Sequence, residues 1–243
     1  MHSRPRPTDE HAHDALGSVV TRREALALFT TPFLLAFAGC GDTSAAPDDR
    51  PLAGACVVRP ELTEGPFYLD AERLRSDIRE DRAGVPLVLT LGVSRATATA
   101  CEPLPGAVVD VWHADASGDY SGVGPLRGDT FLRGRQQTDA SGQVTFQTVY
   151  PGWYPGRTPH VHVKVRSSAE SGPAHAFTSQ LFFDDVVSRE VYTSVAPYDA
   201  RGAQGTTNGR DGIYRRGGSE MLLDVTEADG GYRAAFDLAL YVG

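Results

Sequence analysis

Two histidines separated by one residue, His160 and His162, have a spacing that could do chemistry. In a β-strand, residues two apart share a face, so these imidazoles would stand about 7 Å apart and could chelate one metal ion. Val161, Val163 and Val165 would occupy the opposite face. The polar face of a half-exposed strand would give the same pattern, and Lys164 and Arg166 continue that face. The preceding loop reads Tyr150-Pro151-Gly152-Trp153-Tyr154-Pro155-Gly156-Arg157-Thr158-Pro159. Pro and Gly fix an irregular backbone, and loops set on rigid strands often carry function. Tyrosine is a good ligand for a hard ion, because a nearby trivalent cation pulls its phenol far below the usual pKa of about 10. Upstream, Val111-Trp112-His113-Ala114-Asp115 runs through Gly118 and Asp119 to Tyr120.

These residues need a scaffold, and the chain reads as strands. Apolar, β-branched or alternating runs occupy residues 87–93, 107–112, 144–149, 160–166, 176–183, 221–225 and 232–242. Turn signals at 115–118, 139–142 and 229–231 separate them. The 26 glycines and 16 prolines also favour turns over long helices. The expectation is one all-β domain over 56–243, an antiparallel sandwich with few short helices. The helix-like piece of that domain is 70–80, whereas Asp184-Asp185 reads as a strand-end turn. Trp112 and Tyr150 read as packing residues, and His113 as a residue that supports the site from behind its ligands or lies on the surface. Tyr68 reads as pocket or core. Trp153 either lines a pocket or caps the sandwich.

Composition excludes several function classes. A net charge of −8 argues against non-specific nucleic-acid binding. No apolar run reaches the roughly 20 residues of a membrane-spanning helix. Three cysteines without a CxxC pair exclude zinc ribbons and thioredoxin-like sites. Residues 1–40 read as an export signal. Arg22-Arg23 after a long polar lead resembles a twin-arginine signal, and the apolar stretch 25–38 has the length of a signal core. An ordinary amphipathic helix is the alternative. Ala38-Gly39-Cys40 resembles a lipoprotein box, making Cys40 a candidate for lipid attachment. Residues 41–55 read as a flexible tether. Cys56 and Cys101 would pair in an oxidising compartment or remain two buried thiols.

Four stretches together resemble the intradiol ring-cleavage dioxygenases. They are Glu64-Gly65-Pro66-Phe67-Tyr68, the segment from Asp110 through Trp112 and Gly118 to Tyr120, Pro151-Gly152-Trp153-Tyr154-Pro155, and Arg157-Thr158-Pro159-His160-Val161-His162. The resemblance implies a transthyretin- or immunoglobulin-like sandwich holding non-haem Fe(III). It implies Tyr120, Tyr154, His160 and His162 as the iron ligands, with Tyr154 displaced when a catechol chelates. Arg157 would stabilise negative charge on the substrate, and Gln180 would orient Arg157 or the oxygenated substrate. Trp153 and Pro66 are the candidate substrate contacts. The implied reaction is cleavage of a catechol by O2 to a muconate-type diacid. Five residues separate Tyr154 from His160, fewer than in larger members. Thr158 stands where proline is common, and no helical dimerisation region is recognisable. These features are closest to a short, exported branch. Two other readings use the same residues: a non-catalytic, exported transthyretin-like binding module, and a copper or zinc protein using the HxH pair alone. The sequence leaves open which catechol is used and the oligomeric state.

Overall fold

In a computed structural model, residues 56–241 are described, apart from 71–72, 98 and 168–174. The export signal, Cys40 and the tether lie outside the described residues. The strands are β1 (Pro86–Ala96), β2 (Cys101–Pro103), β3 (Val108–Trp112), β4 (Arg133–Gln137), β5 (Gln143–Val149), β6 (His160–Arg166), β7 (Ala176–Phe182), β8 (Val225–Ala228) and β9 (Gly231–Leu240), with helix α1 (Asp185–Ser194) between β7 and β8. Alternation along β1 buries Leu87, Leu89, Leu91 and Val93. Alternation along β6 buries Val161, Val163 and Val165. Both rows meet in one core with Val109, Val111, Phe146, Phe177, Leu181 and Leu238.

The expected sandwich is present. One sheet runs β2-β1-β9-β8 with β5 also pairing to β1, and the other runs β4-β3-β6-β7. All pairings are antiparallel except β1 with β9, which is parallel.

The helix expected over 70–80 is absent from the described part of that segment. Its backbone instead bridges the edges of both sheets. Arg75 N–H donates to Arg135 O at 3.0 Å, and Ile78 N–H donates to Gln147 O at 3.0 Å. Ile78 is fully buried. Pairing along open strand edges, together with that burial, overrides the helix propensity of a charged, leucine-containing stretch. The α-helix lies instead at Asp185–Ser194. Asp184 caps it by accepting from Val186 N–H at 2.7 Å, and Ser188, Val191 and Tyr192 form its buried face. Its valines disguised it, since β-branched residues are weak helix formers. The strand expected at 221–225 is displaced: a 3-10 turn runs Gly218–Met221, and β8 begins at Val225.

Cys56 and Cys101 form a disulfide with Cα atoms 5.3 Å apart. Closing a loop of this length stabilises by about 4 kcal/mol on the chain-entropy account. The bond ties β2 to the start of an extended strap over residues 56–68. The strap runs across the histidine-bearing side of the second sheet. Leu62 N–H donates to Thr178 O at 2.9 Å. Arg133 Nη1 donates to Phe67 O at 2.7 Å, and Arg166 Nη1 to Tyr68 Oη at 2.7 Å.

Candidate metal centre

Register places the chemistry in one row. His162 lies opposite Trp112 on β3 and opposite Gln180 on β7, and His160 lies opposite Phe182. Directly opposed residues share a face. The Trp112 and His162 rings therefore stack, with centroids 4.7 Å apart and planes 9° apart. This face is not solvated: His160 and His162 are both buried beneath the strap and the 150–158 loop. Phe67 from the strap packs 4.6 Å from the Tyr120 ring and edge-on to Tyr154 at 6.4 Å.

Two loops bring the tyrosines to the histidines. Asp115 shapes the first, its Oδ1 accepting from Ser117 N–H at 2.9 Å and Asp119 N–H at 3.1 Å. Gly152 N–H then donates to Asp115 O at 3.1 Å, docking the second loop on the first. A Cβ at Gly152 would lie 2.1 Å from Asp115 O, and one at Gly118 (φ +84°) 2.3 Å from Trp153 O. Both glycines are needed for this backbone approach. From beneath, Tyr192 Oη donates to Pro151 O and Tyr198 Oη to Tyr150 O, each at 2.6 Å. Tyr150 is fully buried and bonds Ser188 Oγ at 2.8 Å, a packing role as expected.

Four donor atoms converge. Tyr120 Oη lies 3.4 Å from His160 Nε2 and 3.2 Å from His162 Nε2. Tyr154 Oη lies 3.3 Å from His160 Nε2, and the two Nε2 atoms are 3.2 Å apart. Ligands about 2.0–2.1 Å from a tetrahedral metal are separated by about 3.3–3.4 Å, so the cluster has the dimensions of a metal site. His160 Nδ1–H donates to Thr158 O at 2.7 Å, which puts the lone pair on Nε2, facing the cluster. Burial pushes the His160 imidazole down to about 3, with the Arg157 charge adding to the effect. Burial also drives His162 well below its ordinary value, with His160 contributing next. Both are therefore neutral, as metal ligands must be. Burial raises the Tyr120 phenol well above its ordinary value and raises that of Tyr154. A highly charged cation among them would reverse that direction. Among the described residues, no three of His, Cys, Asp and Glu form a metal-holding group. The donor set is thus two imidazoles and two phenols, and a copper or zinc site on the histidines alone would use half of it.

Arg157 flanks this cluster. Its Nη1 lies 3.4 Å from both Tyr154 Oη and His160 Nε2. Its Nη2 donates to Gln180 Oε1, and Gln180 Nε2 donates to Thr63 O at 2.9 Å. The strap therefore sets the amide orientation. Trp153 is placed differently: its Nε1–H donates to Gly202 O at 3.1 Å, Arg201 stacks over its ring at 4.3 Å, and it packs against the main core. Pro66 is exposed on the strap, next to Phe67. Tyr68 lies 5.0 Å from Trp112 with Lys164 Nζ over its ring.

Sequence reasoning missed Asp211, which is fully buried and accepts from Arg157 Nε at 2.8 Å. Burial raises its carboxyl, but the Thr158 N–H and the Arg157 guanidinium outweigh that and hold it below the usual carboxylate range. In sequence, Asn208-Gly209-Arg210-Asp211-Gly212 resembles any surface turn and carries no signal.

His113 is buried, not on the surface. Its Nδ1–H donates to Ala114 O at 2.8 Å, and its Nε2 accepts from Thr148 Oγ1 at 2.7 Å. Burial pushes it down to about 4. Between about pH 6.5 and pH 4 the unfolded chain binds this proton and the folded chain does not. Stability therefore falls on acidification, by about 3 kcal/mol in total from this group. Urea midpoints of metal-free wild type and His113→Gln across this range test it. The variant should lose about 1.4 kcal/mol less per pH unit, and parallel slopes would refute the assignment.

A family model described as Dioxygenase matches residues 63–196. A chlorocatechol 1,2-dioxygenase of Pseudomonas sp. (strain P51) is 30% identical over 162 residues, covering 57% of this chain and 61% of that protein. Catechol 1,2-dioxygenase 1 of Acinetobacter lwoffii is 35% identical over 102 residues, covering 39% of this chain and 32% of that protein. The chain thus spans less than two thirds of the length of these curated relatives. Among solved structures, an intradiol ring-cleavage dioxygenase from Tetranychus urticae superposes with a TM-score of 0.69 at 33% identity, covering 76% of this chain and 95% of that one. The dioxygenase domain of a dioxygenase–carbohydrate-binding protein fusion from Streptomyces sp. SirexAA-E gives 0.58 at 30% identity, covering 77% and 100%.

Proposed function

Because the chain belongs to the intradiol ring-cleavage dioxygenase family, we propose that it cleaves a catechol between its two hydroxylated carbons with O2, giving a muconate-type diacid. The convergence of Tyr120, Tyr154, His160 and His162 within 3.2–3.4 Å carries this reading. Those four residues would hold Fe(III). When bound, the ion supplies Lewis acidity toward a catechol, and two phenolate ligands favour its ferric state over the Fe(II) of two-histidine, one-carboxylate sites.

The chain's own residues supply the rest. Tyr120 is buried under Phe67 and is suited to remain in place. Tyr154 is half-buried and next to the exposed Pro155 and Gly156, so it has room to move. Its Oη can take a substrate proton or give one up, and Arg157 Nη1, 3.4 Å away, stabilises the phenolate form. The same guanidinium edge faces the space where charge develops on substrate oxygens. Phe67 and the strap exclude water from the Tyr120 side.

The same reading includes export of the protein, with Cys40 as the lipid-attachment residue. The Cys56–Cys101 disulfide supports it, since such bonds persist in oxidising compartments.

Iron-loaded protein given a series of catechols should consume O2 and accumulate the ultraviolet absorbance of a muconate. Arg157→Ala should lower kcat about 10²–10³-fold. A yellow semialdehyde product, or iron-loaded protein that takes up no O2 with any catechol, would overturn the reading.

A further inference from the structure

The strongest unassigned feature beside the site is a buried carboxylate from a segment outside the matched family region, which ends at residue 196. Asp211 follows the 3-10 turn Asn208–Arg210 and is completely buried. Its Oδ2 accepts from Arg157 Nε and from Thr158 N–H, both at 2.8 Å. Its Oδ1 accepts from Ile213 N–H at 2.7 Å and Tyr214 N–H at 3.1 Å. Each carboxylate oxygen thus accepts two hydrogen bonds, and the carboxylate cannot turn without breaking them.

Asp211 touches two functional residues through these bonds. On Arg157 it holds Nε while Gln180 holds Nη2, so the guanidinium plane is fixed and Nη1 is directed at Tyr154 Oη and His160 Nε2. On Thr158 it fixes the peptide whose neighbouring carbonyl, Thr158 O, receives His160 Nδ1–H. Asn208 adds a second hold: its Oδ1 accepts from Thr158 Oγ1 at 2.7 Å, and its Nδ2 donates to Phe183 O at 2.8 Å. Charge is part of the arrangement. Arg157 and Asp211 form an ion pair, with the arginine side chain 15% exposed and the aspartate 0%. The pair is close to neutral as a unit, so the guanidinium can offer hydrogen bonds to the site without adding a full uncompensated charge to it.

We propose that Asp211 is a positioning residue for ring cleavage, acting through Arg157 and Thr158 by aiming the guanidinium at the Tyr154 side of the site and balancing its charge. This proposal rests on the ferric-site reading above and extends it to the 208–214 segment. Asp211 contributes separately through geometry and through charge. Removing the charge leaves an unbalanced guanidinium beside Tyr154 Oη. That lowers the energy of the phenolate donor electrons and moves phenolate-to-iron absorption to shorter wavelength. Removing the geometry lets Arg157 swing, which lowers kcat.

The test compares iron-loaded wild type, Asp211→Asn and Asp211→Glu by visible spectrum, steady-state kinetics with catechol and melting temperature. Asp211→Asn should shift the band to shorter wavelength and lower kcat about 10–100-fold, the range for loss of a supporting partner, with KM changed much less. Asp211→Glu keeps the charge but displaces the oxygens by one methylene. It should leave the band in place and still lower kcat, and it carries the test should the asparagine variant not fold. In an Arg157→Ala background, Asp211→Asn should lower kcat by a smaller factor than in the wild type, because the part of its effect that runs through that arginine is already lost. A variant that melts earlier but keeps the wild-type band and kcat would make Asp211 a structural anchor and overturn the proposal. Wild-type iron-loaded protein without any visible band would instead remove the ferric-site reading, and this proposal with it.

Discussion

Tyr120→Phe should fold normally and fail to hold iron. The substitution removes one oxygen from a residue that is 6% exposed and leaves the ring, packed 4.6 Å from Phe67. No cavity forms. In the metal-free protein the lost hydroxyl is one of four polar atoms crowded within 3.2–3.4 Å, so its removal should cost less than about 1 kcal/mol of stability. Iron binding is the opposite case. The variant loses a phenolate that neutralises the ion in a buried site, and the remaining Tyr154 is the one beside Arg157. The loss of affinity should exceed the roughly 100-fold that follows removal of an outer supporting partner. Iron titration with urea denaturation of the metal-free forms would check both halves. An unaltered iron affinity would refute Tyr120 as a ligand. A large drop in metal-free stability would show instead that its hydroxyl is structural.

The second large effect concerns the scaffold. Phe182 is fully buried opposite His160 on the neighbouring strand. Its ring centroid lies 6.1 Å from that of His160 and 5.1 Å from that of Tyr214. It joins the core to the Asp211 segment. Phe182→Ala should cost about 3–5 kcal/mol through lost burial and the cavity left behind. For a domain of this size that is a fall of about 10 °C or more in melting temperature. The metal site should survive at low temperature, because His160 is still oriented by Thr158 O and by its strand register. Calorimetry and the visible spectrum together test this. A melting shift of a degree or two would mean that Phe182 contributes little packing, while loss of colour in a folded variant would mean that its ring positions His160.

How much of this was legible depended on how local each signal was. The HxH pattern could be read because strand alternation is strictly periodic, and β6 shows it without a break. Tyr120 and Tyr154 were found through short contiguous motifs dense in Gly and Pro, and the close approach of Gly152 to Asp115 O explains why those motifs are so constrained. Burial of the histidine face could not be read, because the strap that covers it lies about 100 residues earlier in the chain. The 70–80 segment misled for a related reason. Its composition favours a helix, yet its backbone pairs with Arg135 and Gln147 on two different sheets. Helix α1 was hidden by valines, although Asp184 was a usable cap signal. Asp211 was illegible, since its partners at the site, Arg157 and Thr158, are more than 50 residues away and its own surroundings read as a plain turn.

The most direct test of the central claim is the visible spectrum of the ferric-loaded protein, recorded before and after catechol is added with oxygen excluded. A broad phenolate-to-iron absorption that shifts when catechol binds is the expected result. A folded, iron-loaded protein that stays colourless would contradict it, leaving a sandwich that binds without this chemistry.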